Sequence, residues 1–192
     1  MKQDDVLFYA DAGCHLNAKG EQKFLLYVDR AIAHDIWVTQ LPETMNDLNY
    51  TKRDTSNLFT KSRLAFDALK EGQLQPGLII LTKNDYTCLI VSEWNELMSE
   101  KSLHYFDDSP SLQPNDPSFV ENRHDQSIFS LLLKCNHFYA EKECQCYAET
   151  DEGWAKLAET EPILVKRDKQ KSVGIWKTLK KSIKFLIKSV LR

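Results

Sequence analysis

Eight residues near the start, Val6-Leu7-Phe8-Tyr9-Ala10-Asp11-Ala12-Gly13, restrict the fold more than any other stretch. Five apolar or β-prone residues in a row, preceded by Lys2, Asp4 and Asp5, predict a short strand buried on both faces, as strands inside an α/β sheet are. The run ends in a carboxylate, which puts Asp11 at the strand's carboxyl end with Gly13 two places on. Ligands of open α/β sheets bind outside the carboxyl ends of the strands, and a glycine there permits close backbone approach, so the position suits chemistry. It suits a plain turn as well, since Asp and Gly are ordinary turn residues.

The pattern that follows keeps to an α/β plan. Residues 19–34 carry Phe24, Tyr27, Val28, Ala31 and Ile32 on one helical face, and Ile36-Trp37-Val38-Thr39-Gln40 predicts the next strand. Strand, helix and strand within about 35 residues is the spacing of a crossover unit. Residues 41–49 read as loop, and 51–59 as a short helix with Thr51 or Asp54 as its cap. A second amphipathic segment covers 62–70 and stops at Gly72. Gln75-Pro76-Gly77 predicts a turn into Leu78-Ile79-Ile80-Leu81-Thr82, the most β-prone run of the chain. Asn84 or Asp85 then caps a helix over 86–99 with Cys88, Leu89, Val91, Trp94, Leu97 and Met98 turned inward. A loop rich in Asp, Ser, Pro and Asn spans 101–122, a length that marks function or disorder in a compact domain. Arg123-His124-Asp125-Gln126-Ser127 opens a helix to about residue 134, with Ile128, Leu131 and Leu132 in the core.

At 192 residues and 42% hydrophobic, the chain has enough apolar material for one domain with a core. Its five cysteines (Cys14, Cys88, Cys135, Cys144, Cys146) are odd in number and scattered, which predicts reduced thiols. No signal-peptide core follows Met1 and no run approaches ~18 apolar residues, so the expectation is a cytoplasmic chain that does not span a membrane.

Charge divides the chain. Residues 166–192 hold ten basic residues and one acid, whereas residues 1–165 hold 15 basic and 27 acidic ones. Within the tail, Ile175, Trp176, Leu179, Ile183, Leu186, Ile187 and Val190 fall along one helical stripe with lysines opposite. That pattern predicts an amphipathic helix lying on anionic lipid through Trp176, Lys177, Lys180, Lys181, Lys184, Phe185 and Lys188. Packing of the apolar stripe onto the acidic domain is the alternative. Nucleic acid is not an expected partner, because the basic residues are confined to the tail and an apolar stripe has no place on a phosphate backbone.

Three stretches carry a family resemblance: Phe8-Tyr9-Ala10-Asp11-Ala12-Gly13-Cys14-His15-Leu16-Asn17, the strand ending at Leu81 with the helix to Trp94, and Asn122-Arg123-His124-Asp125-Gln126-Ser127-Ile128-Phe129-Ser130. In order and spacing they resemble the acceptor-side half of bacterial glycosyltransferases of the nucleotide-diphospho-sugar transferase (GT-A) fold, of the kind found in capsule and lipopolysaccharide gene clusters. The resemblance implies transfer of a sugar from a nucleotide-sugar donor to a glycan or lipid-linked acceptor at the inner membrane face. It implies an α/β fold, a partial GT-A-like mixed sheet flanked by helices, over residues 1–150, a linker over 151–171, and the basic helix over 172–192.

In such enzymes an Asp-x-Asp at the end of a buried strand binds Mn²⁺ or Mg²⁺, which offsets charge on the departing diphosphate. Asp11 matches the first carboxylate and Gly13 replaces the second, so the resemblance makes Asp11, Gly13 and His15 the donor-side residues and Asp11 the metal ligand, with His15 or Asp125 to complete the site. His124 and Gln126 would face the acceptor. Asp125, with Asp108 or its neighbour Asp107 as loop-borne candidates, would act as base toward an acceptor hydroxyl. On its own, an acid at position 125 also reads as a helix N-terminal residue favoured by the macrodipole. Enzymes of this fold carry their nucleotide-binding strands before the Asp-containing strand, where this chain has five residues. The expectation is therefore a piece of a transferase, a chain whose sheet a second polypeptide completes, or a non-catalytic remnant that serves as an interaction subunit at the membrane surface.

Overall fold

Alternation along two strands splits the core into two halves, one on each side of the sheet. In the computed structural model, which describes residues 2–142, 148 and 150–165, the chain opens with β1 (Val6–Ala10). A turn closed by the Cys14 N–H on the Asp11 carbonyl leads to β2 (His15–Leu16). The Asn17 side chain accepts from the Lys19 N–H at the head of a 3-10 turn that runs into α1 (Glu21–His34). Asp35, at φ 67°, turns the chain into β3 (Ile36–Gln40), buried at all five positions. Next come α2 (Asp47–Tyr50), capped by Asn46, α3 (Arg53–Thr60) and the nine-residue β4 (Leu74–Thr82). Asn84 and Thr87 form a capping box on α4 (Asp85–Leu97), as a helix start of this composition favours. The rest is α5 (Leu103–Phe106), a long loop, α6 (His124–Lys134), β5 (Tyr139–Lys142), α7 (Asp151–Thr160) and β6 (Ile163–Leu164).

The main sheet has the order β1-β4-β3-β5 and is mixed: β4 is antiparallel to both its neighbours, and β5 is parallel to β3. Trp37, Leu78 and Ile80 pack with Tyr27 and Ala31 of α1. Ile36, Val38 and Ile79, one residue out of phase, pack with Phe59, Ile90 and the leucines of α6. Both halves are dry, and Trp37 stacks on Tyr27 with ring centroids 4.2 Å apart. The sheet is thus covered by α1 on one side and by α3, α4 and α6 on the other.

Several expectations need correction. β1 is an edge strand and not buried on both faces: Val6, Leu7 and Tyr9 are 37%, 43% and 49% exposed. Only its Phe8 and Ala10 side is packed, with Phe8 edge-on to Phe24 of α1. Gln75-Pro76-Gly77 is no turn but part of β4. Val38 pairs with Ile79 while Thr39 pairs with Gln75, so the chain bulges at 76–78, and the bulge admits a proline into a central strand. Ile32, Cys88, Leu89 and Val91 face outward, and Thr87 and Ile90 take the buried side of α4. Neither Thr51 nor Asp54 caps α3; its N-cap is Lys52, with no side-chain bond. The 41–49 stretch contains most of α2 rather than plain loop.

The expected linker over 151–171 is structured in its described part. Asn17 Nδ2 donates to the carbonyls of Ala158 and Glu161, and Ile163 enters the α1 side of the core. A Cβ on Gly20 would lie 2.3 Å from the Pro162 nitrogen, so only glycine lets α7 and β6 close onto the start of α1. The expected basic helix over 172–192, with Trp176, Phe185 and its lysines, lies outside the described residues. Among the described residues no helix is long and apolar enough to cross a membrane.

Candidate functional site

Asp11 stands at the carboxyl end of β1 as its sequence position predicts, with its N–H on the Gly77 carbonyl of β4. Its carboxylate lies against the bulge: a Cβ at Gly77 would be 2.8 Å from Asp11 Oδ2, so a larger residue there would turn the carboxylate aside. Tyr9 Oη donates to Asp11 Oδ1 at 3.0 Å. That bond and the Asp11 charge raise the Tyr9 hydroxyl above its usual value, and the charge of Asp125 adds to the effect. The structure therefore gathers Asp11, Tyr9 and Asp125, from β1 and from the first turn of α6, into one exposed neighbourhood. Gly13 does not use a left-handed conformation. His15 is placed in the small second sheet, paired with Leu164.

What holds the first turn of α6 there is a buried ion pair at its other end. Lys134 is 2% exposed and Asp47 fully buried; Lys134 Nζ donates to Asp47 Oδ2 at 2.7 Å and to the carbonyls of Ala68 and Glu71 at 3.0 Å each. Ser130 Oγ donates to the same carboxylate oxygen and accepts from the Leu74 N–H, which fixes the helix to the first residue of β4. Burial pushes the Asp47 carboxyl up, and Lys134 pulls it back.

The loop after α5 is fastened by a second buried lysine. Lys52, 2% exposed, donates to the carbonyls of Asp107 and Ser109 at 3.2 and 3.0 Å and to Asp107 Oδ1 at 3.1 Å. The Ser109 hydroxyl, opposed in part by desolvation and helped by Lys52, brings the Asp107 carboxyl down to about 2. Alongside, His104 bridges Asp54 and Ser109, with Nε2 2.7 Å from Asp54 Oδ2 and Nδ1 2.9 Å from Ser109 Oγ. Desolvation pushes the Asp54 carboxyl up, but the N–H groups of Leu112 and Gln113 and the His104 ring outweigh it and leave the group below its ordinary value.

Between this loop and α6 lies a cavity of about 350 Å³, lined among others by Lys52, Asp107, Asp108, Glu121 and His124. His124, at φ 48°, occupies the left-handed region that costs a non-glycine residue energy, and its Nε2 is 2.7 Å from Asp108 Oδ1. Arg123 is not simply solvated: its guanidinium lies 3.6 Å from the centroid of the Tyr50 ring. Gln126 Nε2 is buried with no protein partner. Of the sequence candidates, then, Asp11 and Asp125 share one neighbourhood, His124 and Asp108 form a pair, Gln126 follows in the same helix turn, and His15 stands apart.

No protein-family model matches this chain. Neither does any curated protein or any solved structure.

Four residues of the site escaped the sequence: Lys52, Asp54, His104 and Ser109. A lysine with three accepting oxygens looks like any solvated lysine in one dimension, and Asp54 reads as a cap because it stands at a helix start. The one usable signal was Asp107-Asp108-Ser109-Pro110-Ser111, a run whose side chains bond their own backbone in turns. The Ser109 N–H on Asp107 Oδ1 does so.

Proposed function

We propose that this domain belongs to a glycosyltransferase that moves a sugar from a nucleotide-sugar donor to a cell-surface glycan, working at the inner membrane face. The observation that carries the reading is that Asp11 and Asp125 both act on the Tyr9 hydroxyl at the end of β1, while His124, next to Asp125 in the chain, walls a polar cavity with Asp108. The two acids stand 114 positions apart in sequence.

In this reading Asp11 faces the donor diphosphate, and Asp125 accepts hydrogen bonds from sugar hydroxyls. His124, oriented by Asp108, takes the proton of an attacking acceptor hydroxyl, the role a ring nitrogen held by a carboxylate performs well. The buried Gln126 amide supplies a hydrogen-bond donor still without an acceptor. Gly13 and His15 follow Asp11 on the donor side, Gly13 in the turn and His15 at the start of β2. For Mn²⁺ or Mg²⁺, Asp11 is a single carboxylate with one oxygen engaged by Tyr9, and among the described residues no three His, Cys, Asp or Glu side chains gather as ligands. A hard cation there would draw its remaining oxygens from the donor diphosphate and water.

A donor at 100 times its dissociation constant adds about 2.7 kcal/mol to stability, a melting shift of several degrees for a chain of this size. The expected result is such a shift with at least one nucleotide sugar, lost in Asp11→Asn. A shift that Asp11→Asn leaves intact overturns the site.

A second reading has its own observation. The outer edge of β1 carries exposed Val6, Leu7 and Tyr9 without the proline or bulge that shields natural edges, which favours a chain whose sheet another polypeptide completes. As a non-catalytic interaction subunit, the protein would be stabilised by that partner and by no nucleotide sugar.

A further inference from the structure

The charge of the cavity under the 107–123 loop selects among sugars, an inference that rests on the sugar-transfer reading above. Three carboxylates line the cavity, those of Asp107, Asp108 and Glu121, against two groups able to carry positive charge, Lys52 and His124. Each already faces a carboxylate. Lys52 is enclosed and spends its protons on Asp107 and on two loop carbonyls. His124 Nε2 faces Asp108. Arg123 reaches Glu121 at 3.4 Å, but it is stacked on Tyr50 and does not line the cavity. A phosphate or carboxylate entering here would shed its hydration, find no uncommitted cation and meet net negative charge.

A sugar without an anionic group meets a different wall. Carboxylates accept hydrogen bonds from its hydroxyls, bonds stronger than neutral ones. Phe119, in the lining, adds apolar surface for the C–H side of a pyranose ring. An ammonium in place of a hydroxyl adds attraction to Asp108 and Glu121, the two exposed carboxylates of the lining. The volume, about 350 Å³, is within the range of small-molecule sites, ~300–1,000 Å³.

We propose that this cavity is an acceptor subsite for a neutral or amino sugar and that it rejects uronic and phosphorylated sugars. The test is ligand-observed saturation-transfer NMR on the full chain, titrated with the methyl glycosides of a hexose, a hexosamine and a hexuronic acid and with a hexose phosphate. The expected order is hexosamine, then hexose, with the two anionic sugars at least tenfold weaker. Glu121→Lys, at an exposed position, closes most of that gap, and Phe119→Ala weakens the hexose about tenfold. Equal or tighter binding of the uronate or the phosphate overturns the proposal, as does a gap that Glu121→Lys leaves unchanged or a lack of binding by every sugar. If a nucleotide sugar still raises the melting temperature in those cases, this subsite alone falls; if it does not, the transferase reading falls with it.

Discussion

A lysine keeps its charge inside a protein when each of its protons finds an oxygen, and Lys134 meets that condition with Asp47, Ala68 and Glu71. Removing it strands a carboxylate that is fully buried. Lys134→Met is therefore expected to cost ~3–5 kcal/mol, the range for breaking one half of a buried pair, and to lower the melting temperature by roughly 10 °C. Calorimetry checks it; a loss under ~1 kcal/mol would mean that Asp47 is neutral in the folded protein. At Asp107 the folded carboxyl lies near 2 against an ordinary value of 3.8. A lowered folded value gives stability that is full above about pH 4 and is lost as pH falls through 2. Urea midpoints measured from pH 5 to 2 should fall less steeply for Asp107→Asn than for the parent, though not flatten, because Asp54 and Asp116 are lowered too. These two sites also mark what sequence conveys. Asp11 and Asp125 stand out because each closes or opens an apolar run, which is local information. Lys52 and His104 acquire their meaning from oxygens fifty or more residues away, and no spacing announces that.

At the scale of elements, hydrophobicity located β1, β3 and the second half of β4 but not their depth, and it missed β2, β5 and β6. Val6-Leu7-Phe8-Tyr9-Ala10 and Leu78-Ile79-Ile80-Leu81-Thr82 look equally apolar, yet one lies at the edge and the other between two partners. Pairing order depends on the whole sheet, so a single run does not contain it. The cost of substitution should separate them: Leu7→Thr is expected to stay within ~0.5 kcal/mol, and Ile80→Ala to cost ~2–5 kcal/mol. Equal costs, read from urea unfolding, would mean that something covers β1 in solution. Pro76 is the complementary case. A proline and a glycine together predict a turn, and here the β3–β4 bulge absorbs both while Gly77 makes room for Asp11. Helix signals fared better, because caps are local: Asn84 caps α4 through its own third residue, Thr87.

The whole molecule is a charge dipole along its sequence, with an acidic body over 1–165 and a basic segment over 166–192. The last described element is β6, with Val165 against the α1 side of the core, and the division of charge falls directly after it. On an anionic bilayer the six basic residues from position 177 to 192 attract at about 1 kcal/mol each near the surface. The body, with 27 acids to 15 bases, is repelled by the same surface. On such a surface the two terms would favour the tail toward lipid and the acidic body held off. The full chain should sediment with phosphatidylserine vesicles, release as salt shortens the Debye length from ~10 Å toward ~3 Å, and ignore neutral vesicles. A chain ending at Val165 should stay in the supernatant. Sedimentation that survives the deletion would place lipid affinity on the acidic body, where electrostatics opposes it, and would leave the exposed apolar edge of β1 as the surface that makes the contact.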